Sequence, residues 1–237
     1  MNEPAFSLFA GPATWARMAA QRLADQLRAG IAARGAAVFA GSGGGTPGPI
    51  YDALAQAPLD WSRVVVTLVD ERFVPEDSPD SNAALLRRRL LTGPAAEAEF
   101  VGLYTGAPTP EAAAIETTAR LAGLGRLDAA LLRMGEDGHI LSMFPDSPVL
   151  PALLDPAAEP ACFAVPAGEQ GRPPPQPRLS LNLPWLLRTD AVVLAITGPE
   201  KRRVFDREWD ADPVRAPLAA LRAAGARLEV FWTEDSR

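Results

Sequence analysis

The sequence predicts an α/β protein: a doubly wound, mostly parallel sheet flanked by helices, with a small additional β-containing subdomain. Two observations carry this expectation. Short β-type runs alternate with amphipathic helical stretches along the chain, the pattern of repeated βα units. Two of the runs, RVVVTLV (63–69) and AVVLAIT (191–197), are continuous and apolar, as strands buried on both faces of a parallel sheet must be. At 237 residues, 48% hydrophobic and 22% charged, the chain has material for one large domain spanning 1–237.

The elements follow in order. FSLFA (6–10) reads as a first strand. A long helix begins near Thr14, where Trp15, Ala19, Leu23, Leu27 and Ile31 recur every four residues, and Gly35 is placed to end it. AAVFA (36–40) is a second strand, then GSGGGTPG and a helical PIYDALAQ. RVVVTLV follows, and SNAALLRRRLL opens with a Ser-Asn capping signal. EFVGL, PEAAAIETTARLAGLG and LDAALLRMG continue as strand, helix, strand. In the second half CFAVP (162–166) and RLSLNL (178–183) read as strands of the extra subdomain, RLSLNL alternating as a half-buried strand does. The Pro-rich GEQGRPPPQP between them reads as an exposed loop. AVVLAIT, the helical PEKRRVFDREW and a closing strand LEVFWTE complete a Rossmann-like succession, whose ligands belong at the C-terminal ends of the strands.

Composition excludes several classes. A net charge of -6 argues against a general nucleic-acid binder, though not against an anionic small substrate met by local basic groups. One cysteine, Cys162, rules out an internal disulfide and a multi-cysteine zinc site, and fits a reducing cytoplasmic compartment. A single histidine rules out an HExxH site, and no GxSxG elbow, P-loop ending or good GxGxxG signature is present. The opening residues lack a signal-peptide pattern, and no apolar run approaches the roughly 20 residues of a membrane span.

Three strands run into unusual loops. GSGGGTP (41–47) separates a buried strand from a helix; its glycines permit backbone conformations that turn N–H groups onto an anion, and Thr46 adds a hydroxyl. A flexible turn is the plain alternative. VDERFVP (69–75) places Asp70, Glu71 and Arg72 at a buried strand's end, where three consecutive charges are not expected to be core. Asp70 and Glu71 are candidate acids, bases or acceptors and Arg72 a candidate anion clamp; a solvated loop with an Asp–Arg pair is the alternative. SPDSN (78–82) is placed to cap the next helix and brace this loop. The third loop, in MGEDGHILSMFP (134–145), carries the only histidine, His139, between glycines and acids. Histidine is suited to accept and return protons near neutrality, with Asp137 or Glu136 to orient the ring, whereas a lone histidine of arbitrary context is more often structural. Arg178 and Lys201 complete the basic inventory; Lys201, near a helix start, opposes the dipole there, so an anion partner is worth considering beside a solvent-facing role.

Taken together, SGGGTP, VDERFVP with SPDSN, GEDGHILSMFP, RLSLNLP and TGPEKRRVF, in this order over nearly the full length, resemble the 6-phosphogluconolactonases. The resemblance implies hydrolysis of 6-phospho-D-glucono-1,5-lactone in the oxidative pentose phosphate pathway, without metal or cofactor, by a cytoplasmic monomer that binds neither nucleic acid nor membrane. It implies His139 as the base, with Asp70 and Arg72 beside it. It also implies substrate or phosphate contacts from Ser42, Gly43, Gly44, Gly45, Thr46, Asp137, Gly138, Arg178 and Lys201. Related glucosamine-6-phosphate deaminases share the Gly-rich loop and a GxDGH segment, but typically carry DEY where this chain has Asp70-Glu71-Arg72, and an acid after the GH segment. Ile140 leans to the deaminases; Arg72 and the SMFP run lean to the lactonases and lie nearer the chemistry. A non-catalytic sugar-phosphate sensor is the other alternative, disfavoured by His139 and by the absence of a helix-turn-helix extension. Gly45 in place of the usual serine, and Arg133 in place of a small residue, depart from the lactonase pattern.

Overall fold

In the computed structural model, which describes residues 4–235, a seven-stranded sheet forms the centre. Its strands are β1 (Ala5–Phe9), β2 (Ala37–Gly41), β3 (Val64–Leu68), β5 (Glu99–Phe100), β6 (Ala129–Leu132), β9 (Ala191–Thr197) and β10 (Leu228–Thr233). The order is β1-β10-β9-β6-β2-β3-β5, and every pairing is parallel. A second sheet of three antiparallel strands, β4 (Asp70–Arg72), β8 (Arg178–Leu181) and β7 (Cys162–Val165), is the small additional β structure.

The central strands are buried because they are apolar throughout. β2, β6 and all but the last residue of β9 are fully covered. The helix α1 (Pro12–Arg34) supplies one cover, burying Trp15, Leu23 and Leu27, each worth about 1.5–3 kcal/mol relative to exposure. The Trp15 indole also donates to the Phe231 carbonyl at 2.9 Å, and Gly35 ends the helix in the left-handed region. The remaining helices are α2 (Gly48–Ala55), α3 (Asn82–Arg89), α4 (Pro110–Ala122), α5 (Leu150–Leu154), α6 (Leu183–Leu187), α7 (Gly198–Trp209) and α8 (Pro217–Ala223). Among the described residues no helix is long and apolar enough to cross a membrane.

Three expectations are corrected. EFVGL contributes only two paired residues, because the Thr67 hydroxyl donates to the Val101 carbonyl and the edge ladder stops there. The strand predicted over 178–183 ends at Leu181 and is buried on both faces rather than half-buried, since Ser180 meets the backbone N–H of Ser142 on one side and α4 covers the sheet. The expectation that the three charges of VDERFVP stay out of the core fails for two of them: Asp70 and Glu71 are 2% and 0% exposed, and with Arg72 they form β4, which also sets aside the solvated-loop alternative. Helices α5, α6 and α8 are too short to give a sequence period.

Topology places the loops of interest together. β2 and β6 lie side by side at the point where the chain reverses its direction of travel across the sheet, with β3 and β9 flanking them. The C-terminal ends of all four open on one edge, where doubly wound sheets place ligands.

Candidate active site

Four adjacent strands deliver the loops. The glycine loop leaves β2, Asp70 to Arg72 leave β3, residues 133–139 leave β6, and α7 with Lys201 leaves β9. The histidine loop is clasped at its base by a bridge between Met134 and Ile140, and the Gly135 N–H donates to the His139 carbonyl at 2.8 Å. Gly135 is required by packing, since a Cβ there would fall 2.2 Å from His139 Nδ1. After the loop, Leu141 sits in the left-handed region at φ 52°, an uncommon conformation for a non-glycine residue that is held by burial of its side chain.

The imidazole is 9% exposed. Nδ1 stands 2.5 Å from Asp137 Oδ1, so the ring carries its proton on Nδ1 and leaves the Nε2 lone pair to act as a base. Nε2 is buried with no hydrogen-bond partner among the described residues. Burial works to raise the Asp137 carboxyl, but the hydrogen bond and charge of His139 outweigh it and hold the group below its ordinary value of 3.8. Phe144 packs on the opposite side of the ring, with centroids 4.3 Å apart.

Asp137→Asn keeps an acceptor for Nδ1 but removes the charge. Charge-assisted hydrogen bonds are about twice as strong as neutral ones, so the expected loss is about tenfold in kcat with KM unchanged, measured by steady-state kinetics. The sign of its pH effect on stability is also fixed. A depressed carboxylate stabilises the fold above pH 3.8 and loses that contribution as the pH falls through the lower folded value. The stability difference between wild type and Asp137→Asn therefore closes in acid.

The antiparallel pairing of β4 with β8 sets Arg72 directly opposite Arg178. Like charges facing across a strand pair are destabilising, and here both guanidiniums also keep unpartnered buried atoms: Nε of Arg72, and Nε and Nη1 of Arg178. Arg178 is only 7% exposed. Burial first, and then the charges of Arg72 and Arg133, pull its pKa down against the opposing effect of Asp70, 3.7 Å away. Buried cations with donors to spare form a seat for an anion.

The expected residues divide by role. Asp70 accepts from the Ser142 hydroxyl at 2.7 Å and faces Arg178, so it holds the seat in place. Arg72 is anchored by Nη1 donating to the Asp80 carbonyl and to Asn82 Oδ1. Ser42 is corrected from ligand to brace: 1% exposed, its hydroxyl donates to the Leu131 carbonyl and accepts from the Arg133 N–H, stitching β2 to β6. Gly43 lies against Asn82, where a Cβ would fall 1.7 Å from Oδ1, so only glycine permits the approach. Gly44, Gly45 and Thr46 line the open part of the loop. Gly138 is buried at φ 85° beneath Glu208. Lys201 is half-buried on the first turn of α7. Burial lowers its pKa, Arg133 adds to that, and Glu136 and Asp137 oppose it.

Glu71 has turned away from the cleft. Its carboxylate accepts from the N–H groups of Arg72, Asn82 and Ala83 and from the Ser81 hydroxyl, at 2.7 to 3.0 Å, on the N-terminus of α3. Burial pushes its pKa up against these four donors. Sequence reasoning missed Ser142 and Phe144 as site residues; Phe144 also lies under Arg178, with the guanidinium carbon 5.5 Å from the ring centre. Their only signal was the SMFP run. Among the described residues no cluster of three or more His, Cys, Asp or Glu side chains is placed to hold a metal ion.

Comparison with known proteins gives a consistent picture. Residues 11–232 match the family described as glucosamine-6-phosphate isomerases/6-phosphogluconolactonase. A 6-phosphogluconolactonase of Mesorhizobium japonicum is 44% identical over 214 residues, 90% of this chain and 88% of that protein. The crystal structure of a 6-phosphogluconolactonase from Shewanella baltica superposes with a TM-score of 0.89 at 32% identity, covering 98% of each chain. A monomeric glucosamine-6-phosphate deaminase shares the fold, with a TM-score of 0.78 and 19% identity over 97% of each chain.

Proposed function

The chain belongs to the glucosamine-6-phosphate isomerase/6-phosphogluconolactonase family, and from that premise we propose that it hydrolyses 6-phospho-D-glucono-1,5-lactone to 6-phosphogluconate in the pentose phosphate pathway. The observation that carries the reading is the pairing of one oriented base with a seat of two arginines, Arg178 buried and Arg72 half-buried. His139, its Nδ1 proton held by Asp137, has Nε2 free to take a proton from water. Arg72 and Arg178 offer unpartnered donors for the phosphate, and Lys201 on the first turn of α7 adds a further cation.

The chemistry asked of the protein is modest. A lactone carbonyl is already activated, so an oriented water attacks C1 while Nε2 accepts its proton. The imidazolium then returns that proton to the departing ring oxygen as the C1–O bond breaks, leaving a hydroxyl and a carboxylic acid, which releases its remaining proton to solvent and becomes the carboxylate. Backbone N–H groups of Gly44 and Gly45 and the Thr46 hydroxyl are the donors for the sugar, and positioning by the phosphate supplies much of the rate. Side chains and water suffice for these steps. A monomer is the proposed working state, which the elution volume on a sizing column tests, and a single buried free thiol, Cys162, supports a reducing cytoplasmic setting. The β4–β8 sheet is joined to β3 by the Leu181 N–H donating to the Val69 carbonyl at 3.0 Å, which supports 1–237 as one domain.

The deaminase reading lacks its acid after the GH segment, where Ser142, Met143 and Phe144 are all buried in packing or in the Asp70 contact. A coupled assay following 6-phosphogluconate formation above spontaneous hydrolysis tests the choice. The lactone is turned over and glucosamine-6-phosphate releases no ammonia; the reverse result overturns the reading.

A further inference from the structure

We propose that Arg133 is a further phosphate-binding residue of this site, and that it sharpens the preference for phosphorylated over unphosphorylated lactones. The inference rests on the lactonase reading for the identity of the substrate. It does not rest on the family pattern, since a small residue is usual at this position.

The geometry is specific. Arg133 is the first residue beyond β6, at the strand that carries the base, and its backbone N–H is fixed by the Ser42 hydroxyl at 3.2 Å. Its side chain crosses to the glycine loop: a Cβ on Gly44 would fall 3.1 Å from Cδ and 3.2 Å from Nε of Arg133. The stem therefore lies on the bare backbone of Gly44, and any larger residue there would push it off. Half-buried, the guanidinium has neither a carboxylate within ion-pair distance nor a side-chain hydrogen bond among the described residues. An arginine in such a position ordinarily recruits an acid, as Arg89 does with Asp52 and Arg87 with Glu76 on the surface nearby.

Its neighbours are cations. The charge of Arg133 is felt at both Arg178 and Lys201, so the guanidinium is within electrostatic reach of the arginine seat and of α7. Arg72, Arg133 and Lys201 all lack an acidic ion-pair partner among the described residues, and Arg178 has only Asp70 at 3.7 Å. These four positive groups are offset only in part by Asp70, Glu136 and Asp137 around the cleft, and a multiply charged anion completes the balance. A phosphate dianion with three peripheral oxygens meets that need, and a fork of guanidinium donors matches its geometry. The carboxylate of the product carries a single charge and forms beside His139, to which Arg133 makes no hydrogen bond.

The test uses the full chain with Arg133→Met, which keeps the stem over Gly44 and removes the charge, and Arg133→Lys, which restores a cation. For Arg133→Met, KM for the phosphorylated lactone rises about tenfold with kcat within about twofold, the size expected for one charge-assisted contact. Titration with inorganic phosphate by calorimetry shows a matching loss, Arg133→Lys recovers part of both, and turnover of unphosphorylated glucono-1,5-lactone is unchanged. Unaltered KM and phosphate affinity in Arg133→Met overturn the proposal, as does a loss confined to kcat. Should wild type leave the lactone untouched, the lactonase reading fails, while the phosphate titration still decides whether Arg133 binds the anion.

Discussion

Replacing His139 with alanine lowers kcat for the lactone by about 10²–10⁴-fold, the usual worth of a positioned general base. KM stays close to the wild-type value, because the phosphate seat is built by β4, β8 and α7 and none of its contacts passes through the imidazole. Spontaneous hydrolysis sets a floor, so the rate is read above background, with wild type and variant side by side. A fall in kcat at unchanged KM, with the fold intact, separates a base from a residue that only packs. Losing the ring leaves a void against Phe144 and Gly135, and unfolding is measured alongside. A variant with full activity above background removes His139 from the mechanism.

Glu71→Ala produces the largest expected effect on stability. Three backbone N–H groups and one hydroxyl converge on this carboxylate, and the residue is 0% exposed. Each buried donor left without an acceptor costs about 1–3 kcal/mol, partly recovered by relaxation, so a net loss of about 3–4 kcal/mol is expected. For a chain of this length that corresponds to a fall of roughly 6–16 °C in Tm, followed by circular dichroism. Activity falls too, because Glu71 fixes the first turn of α3, from which Asn82 reaches Arg72 and the Asp70 carbonyl. Glu71→Gln is intermediate: one oxygen still accepts, but the amide nitrogen meets N–H donors head on. Unchanged stability in Glu71→Ala would show that water replaces the carboxylate at no cost.

The site was legible to different depths in the sequence. His139 was legible because histidine is rare here and sits among glycines and acids, a local pattern. Arg72 and Arg178 stood out as charges at strand ends, yet their mutual register depends on a pairing of segments about 100 residues apart, which no local signal encodes. The role of Glu71 stayed open among acid, base and acceptor for the same reason. In sequence it is one of three consecutive charges; in the fold the β4 pleat turns it to the opposite face from Arg72, where α3 supplies its donors. Ser42 looked like one more donor in a glycine loop until β6 came alongside and took its hydroxyl.

By itself the sequence determined the α/β class, the order of the longer elements, the glycine and histidine loops and the family they resemble, because periodicity and turn chemistry act within a few residues. Tertiary structure alone decided which charges face the cleft and which are consumed in holding it. Only there do Asp70, Ser142 and Arg178 meet, Phe144 lie between the base and the arginine seat, and Arg133 lean on Gly44. The physical reason is that a charge acquires its role from partners and burial. Both are set by strand pairing across the sheets rather than by neighbours along the chain.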